Sequence, residues 1–267
     1  MKRKIICSMA FAACLTGGMF HTQTVSAESD QVSGDANVTV QKDKTGVSMI
    51  QDPENPESEV DPGDSPRTDG DLRIDFVPQL NFSTAKLSDN GLVLPANAQL
   101  FHSDTTPRGN FIQVTDERDE PTGWTLQVRQ EKQFTHNEKE GVQLKGAVIS
   151  LDKAWTNSVV ANKFSPTVQK EVIQMLAVGE TYNLAKAEYE KGMGTWSIAF
   201  GASAENQNGQ AATVEARKDE QGNAVMDTLF NKPSYLNSAV TLTIPGDSNN
   251  QAGAYSTVLT WTLAELP

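Results

Sequence analysis

An all-β domain, an antiparallel β-sandwich or barrel-like sheet with long loops and room for one short helix, is the fold this 267-residue sequence predicts. Three observations lead there. Segments rich in valine, isoleucine, threonine and aromatic residues recur along the chain and alternate apolar with polar at the strand period of two. Turn chemistry separates them, at Asn90-Gly91, Asn208-Gly209 and the GDSNN run starting at Gly246. Only one segment, YNLAKAEYE, offers competing helical spacing, through Tyr182, Ala185 and Tyr189.

Residues Met1 to Ala27 have the plan of a signal peptide. Lys2, Arg3 and Lys4 precede an apolar run from Ile5 to Phe20, and Val25-Ser26-Ala27 supplies small residues for cleavage after Ala27. Thr16, His21 and Gln23 interrupt the run too early for a retained membrane anchor. A lipid-attachment reading at Cys14 fits less well, because Phe11 stands where leucine is favoured. Both cysteines, Cys7 and Cys14, lie in this segment, so residues 28–267 hold no disulfide, thiol nucleophile or thiolate metal ligand. The expected product is an exported domain, 28–267, with no hydrophobic sorting tail before Pro267.

Between Glu28 and Gly70 stand 11 acidic and three basic residues, most densely in QDPENPESEVDPGDSPRTDG, 51–70. Four prolines and seven carboxylates there oppose collapse, which predicts a solvated excursion inside one domain; no register supplies a calcium-binding loop. Apolar alternation flanks it on both sides, at Val38 and Val40 and again at Ile74, Phe76 and Leu80 of LRIDFVPQLNF. The expected strands then follow in order: FIQV, GWTLQV, GVQLKGAVISL, PTVQKEVIQML, GTWSIAF, AVTLTIPG and YSTVLTWTL. YNLAKAEYE is compatible with a short helix or a strand, confined between Gly179 and the glycines Gly192 and Gly194.

Within these strands three rows stand out. Trp124, Leu126 and Val128 share one strand face; so do Trp196, Ile198 and Phe200; so do Leu259, Trp261 and Leu263. Periodicity assigns each row to a common face without deciding whether that face is core or a ligand platform. A buried row would contribute about 1.5–3 kcal/mol per large side chain. An exposed indole would instead cover the weakly polar face of a sugar, with neighbouring Asn, Gln, Ser or Thr orienting glycan hydroxyls or peptide amides.

The GWTL at Gly123–Leu126 and the terminal YSTVLTWTLAELP at Tyr255–Pro267, with GMGTWSIAFG and AVTLTIPG between them, resemble the WxL-domain family of Gram-positive cell-surface proteins. The resemblance spans nearly all of residues 28–267. It implies noncovalent association with the cell wall, with peptidoglycan as ligand, and assembly with membrane-anchored surface proteins and other WxL-domain proteins. Trp124 and Leu126 match the first family motif, and Trp261 and Leu263 the terminal one. Trp196 is followed by Ile198 where a full third motif would have leucine.

Other classes fit poorly. A formal charge of -12, with 22 basic against 34 acidic residues, opposes nonspecific binding to nucleic acid, anionic lipid or teichoic acid. His102 and His136 belong to no HExxH series, and there is no GxSxG elbow. GMG at Gly192–Gly194 is too short to cradle phosphate and reads as a turn or a close strand approach. Only the carboxylates of DERDE, Asp116–Glu120, leave a wall-remodelling glycan hydrolase conceivable, and a loop before the Trp124 strand is their simpler role. The sequence therefore predicts no enzyme, no catalytic residue, no metal and no cofactor. An extracellular interaction scaffold that pairs through an open strand edge is the rival to direct wall binding.

Overall fold

Strand periodicity turns into three larger antiparallel sheets and two two-stranded ones in the computed structural model, which describes residues 49–82, 84–86, 88–246 and 250–267. The leader segment and the Val38–Val40 alternation lie outside the described residues. In chain order the strands are β1 (Leu72–Phe76), β2 (Leu92–Asn97), β3 (Asn110–Asp116), β4 (Trp124–Gln130), β5 (Thr135–His136), β6 (Val148–Leu151), β7 (Ala154–Asn157), β8 (Thr167–Val168), β9 (Ile173–Gln174), β10 (Thr181–Ala187), β11 (Gly194–Phe200), β12 (Val214–Ala216), β13 (Met226–Asp227), β14 (Lys232–Pro233), β15 (Tyr235–Ile244), β16 (Tyr255–Ser256) and β17 (Leu259–Glu265). The first sheet has the order β1-β3-β11-β7, the second β17-β4-β10-β8 and the third β12-β15-β6-β9, with β2 also paired to β15. The expected all-β antiparallel class is therefore the observed one. Among the described residues the helical content is a single 3₁₀ turn, Asn162–Phe164.

The main core lies where apolar faces of the three sheets meet. Ile74, Val114 and Ile198 come from the first sheet, Trp124 and Leu126 from the second, and Val240 from the third. The first sheet is buried on its other face too, where Phe76, Phe101, Phe111 and Trp155 form a second cluster and the Phe76 and Phe111 rings lie 4.8 Å apart. This explains why all seven residues of β3 are buried, the polar ones included. Burial on both faces removes the in-out alternation that a half-exposed strand shows.

That second face is covered by the start of the acidic, proline-rich segment, which corrects the expectation of a solvated excursion. The Asp52 carboxylate accepts two hydrogen bonds from Arg108, from Nε and Nη2, both at 2.8 Å. Glu54 accepts from the Ser203 backbone N–H and hydroxyl, both at 2.6 Å. Asn157 donates to the Pro53 carbonyl at 3.1 Å, and Val60 enters the second cluster. Carboxylates disfavour collapse only while unpaired, and a bidentate arginine with a satisfied second acceptor reverses the balance. From Asp64 to Gly70 the segment is largely exposed, as its composition predicts.

Three strand expectations change in detail. Of GVQLKGAVISL only Val148–Leu151 is a strand, because Gly146 at φ 72° turns the chain just before it. PTVQKEVIQML divides into β8 and β9, since Val168 pairs with Ala185 in the second sheet whereas Ile173 pairs with Leu151 in the third. YNLAKAEYE is a strand: β10 lies between β4 and β8, and the ladder to β4 outweighs local helical spacing. Tyr189, the last residue of the helical spacing, lies beyond the strand and is exposed, and a register shift falls between Asn183 and Ala185.

Candidate functional site

The two W-x-L segments, one mid-chain and one near Pro267, are neighbours. β4 and β17 run antiparallel with Leu126 opposite Leu263, Val128 opposite Trp261 and Trp124 opposite Glu265. Directly opposed residues share a sheet face, so one apolar surface carries both motifs although 137 positions separate Trp124 from Trp261 in the sequence. Arg118 fastens the far end of the pair. Its Nη2 holds the buried Asp116 carboxylate at 2.8 Å and the Gly123 carbonyl at 3.0 Å, while Nη1 lies 2.6 Å from Glu265. Asp116, Glu117 and Arg118 of DERDE are thus ion-pair partners, with Glu117 on Arg73 at 2.9 Å.

Trp124 and Trp196, with Leu126 and Ile198, are core. The two indoles are 0% and 1% exposed, and both N–H groups end on the same turn: Trp124 Nε1 donates to the Gly192 carbonyl at 3.2 Å and Trp196 Nε1 to the Met193 carbonyl at 2.8 Å. An indole buried without an acceptor would cost about 1–3 kcal/mol, and the GMG turn removes that cost for both. The turn needs its first glycine. Gly192 has φ 74°, and a Cβ there would lie 2.5 Å from both Trp124 Nε1 and the Ala187 Cβ. Trp155, absent from the three sequence rows, uses the same solution by donating to the Gly201 carbonyl at 2.9 Å.

Trp261 is different. It sits on β17, the edge of the second sheet, with a strand on one side only among the described residues. Its indole is half-buried and lines a groove of about 1290 Å³. One wall is β17 at Leu259 and Trp261. The opposite wall is the third sheet, at Leu92, Leu94, Leu242 and Ile244, and the segment around Leu80 and Phe82 borders the same space. Polar groups from Gln79, Asn81, Gln251 and Thr260 stand at the groove, together with the cations Arg67 and Lys86. Leu263 packs against the main core and does not reach the groove.

The end wall, residues 251–257, is pinned by side chains. The β16 to β5 ladder sets Tyr255 opposite His136, and the two rings meet edge to face at 5.0 Å. The Glu138 N–H donates to His136 Nδ1 at 3.1 Å, which leaves Nε2–H to donate to the Ala252 carbonyl at 3.2 Å. His136 is consequently a structural residue. Gln130, at the end of β4, donates to Thr257 Oγ1 at 3.2 Å and so connects this wall to the motif strands. His102 stacks on Phe230 at 4.7 Å and does not line the groove. Sequence reasoning placed Leu242 and Ile244 in a strand, AVTLTIPG, but missed the β2 part of this wall: Leu92 and Leu94 do alternate, yet Pro95 disguises β2, an edge-strand proline at a register shift.

The WxL domain family model, described as surface cell wall-binding, matches residues 27–267. The chain belongs to the WxL family. No curated protein and no solved structure matches it. As a WxL-domain protein it is a cell-surface module that associates with the wall, and a binding protein rather than an enzyme. Among the described residues no cluster of three or more His, Cys, Asp or Glu could gather a metal ion.

Proposed function

We propose that the WxL-domain protein is exported by its leader and holds noncovalently to the cell wall by taking peptidoglycan into the groove beside Trp261. One observation carries this reading: of the six motif residues Trp124, Leu126, Trp196, Ile198, Trp261 and Leu263, Trp261 is the one that reaches an open cavity. The first four are sealed in the core and have no face to offer a ligand. A half-buried indole backed by Leu259 presents a flat apolar surface to a sugar ring, and the Asn, Gln and Thr groups around it supply the hydrogen bonds that orient a glycan. The volume exceeds the upper range of about 1000 Å³ for small-molecule pockets, which suits a polymer segment longer than one sugar. Co-sedimentation of the folded mature protein with peptidoglycan stripped of teichoic acid tests the reading. Retention is expected; a folded protein that stays in the supernatant overturns it.

The one-sided pairing of β17 favours a second reading alongside the first, in which a membrane-anchored surface protein or another WxL-domain protein adds a strand at that edge. Co-isolation with such a partner, by a protein that does not bind purified wall, would select it.

A further inference from the structure

The charges on the groove run against those of the chain. Acidic residues outnumber basic ones by 34 to 22, yet among the described residues the charged side chains lining the groove are Arg67 and Lys86, both cationic. Arg67 is exposed and has no ion-pair partner among the described residues. Among the described residues Lys86 pairs with Glu220 alone, at 3.4 Å, with the two side chains 94% and 80% exposed, a contact that solvent and salt nearly cancel. Two available cations thus stand on an otherwise apolar and neutral-polar surface, within a molecule whose net field repels anions.

We infer that the groove recognises the carboxylate-bearing peptide arms of the wall polymer, with Arg67 and Lys86 pairing those carboxylates while Trp261 covers the adjoining sugar. This rests on the peptidoglycan reading and narrows it. The sugar backbone offers mainly hydroxyls and acetamides, for which neutral hydrogen-bonding groups suffice. The peptide arms bring short apolar side chains and free carboxylates, which match the leucine-lined wall and the two cations. Arginine adds a planar fork that can hold a carboxylate through two parallel hydrogen bonds, whereas lysine contributes a point charge. Phosphate of teichoic acid is the competing anion. The apolar lining argues against it, because a polyphosphate chain gains nothing from Leu92, Leu94 and Leu242.

The test compares four preparations against the full mature chain: teichoic-acid-free peptidoglycan; the same glycan after an amidase has removed its peptide arms and the lactyl carboxylates so freed have been converted to amides; the same polymer with its peptide carboxylates converted to amides; and free teichoic acid as competitor. Removing or amidating the peptides is expected to weaken binding about tenfold, and the double variant Arg67→Gln/Lys86→Gln should do the same to intact polymer while melting with the wild type. Arg67→Lys with Lys86→Arg should recover most of the loss. Added salt should weaken the wild type more than the double variant. Peptide-free glycan bound as tightly as the intact polymer overturns the inference and leaves the wall-ligand reading standing. Wild-type affinity in the double variant, or displacement by teichoic acid in preference to peptide arms, also overturns it. Failure to bind any preparation contradicts the underlying reading as well.

Discussion

The same tripeptide, Trp-Thr-Leu, occurs at 124–126 and at 261–263 on adjacent strands, and the two copies do different work. Trp124 is on an inner strand, paired on both sides and closed over by the Gly192 carbonyl. Trp261 is on the edge strand, half-buried, with its free side turned to the groove. The motif specifies a strand with an indole on one face, and position in the sheet decides whether that indole is core or surface.

Breaking the buried copy should have the largest effect. Trp124→Ala removes a sealed indole and orphans the Gly192 carbonyl, at a cost of about 3–5 kcal/mol against a total of about 5–15 kcal/mol. Urea unfolding should show a chain that is largely unfolded or marginally stable at 37 °C.

Gly192→Ala tests the same copy through its acceptor without touching the tryptophan. The left-handed backbone would cost about 1–2 kcal/mol and the forced contact with Trp124 about 1–3 kcal/mol more. The expected readout is a lower melting temperature accompanied by a shifted near-ultraviolet signal from the displaced indole. Unchanged melting would mean that the turn does not constrain Trp124.

The edge copy should tolerate truncation better. Trp261→Ala gives up only part of a buried surface, about 1–2 kcal/mol, because one side of the ring already faces the groove. A loss in urea equal to that of Trp124→Ala would erase the distinction between the two copies.

The smallest effect is electrostatic. The Glu131 carboxyl is held below the usual carboxylate range by a hydrogen bond from Thr260 on β17 and next by Arg129. A depressed folded value means that the ionised form contributes stability above the unfolded value of about 4.3, and that this contribution fades as pH falls through the folded value. The wild type should therefore be slightly more stable than Glu131→Gln at neutral pH, and acid titration below about pH 4 should close that gap.

Much of this was legible in the sequence. The three shared faces stand because strand periodicity fixes them whatever the partner strand, and the glycines around Met193 read as a turn from composition alone. What stayed hidden depends on partners distant in sequence. Asp52 and Glu54 look solvated until Arg108 and Ser203 are placed against them. Trp155 has a short strand with no repeating row, and its burial comes from a second cluster built by Phe101 and Phe111. The difference between Trp124 and Trp261 was hidden for the same reason, since identical tripeptides give no sign of which strand ends at a sheet edge.

Binding isotherms of Trp261→Ala and Trp261→Phe on teichoic-acid-free peptidoglycan test the central claim most directly, provided each variant first shows cooperative unfolding. The account predicts that the alanine variant binds about tenfold or more weakly, with phenylalanine recovering part of the loss through its smaller ring. A folded Trp261→Ala protein retained as tightly as the wild type would contradict it.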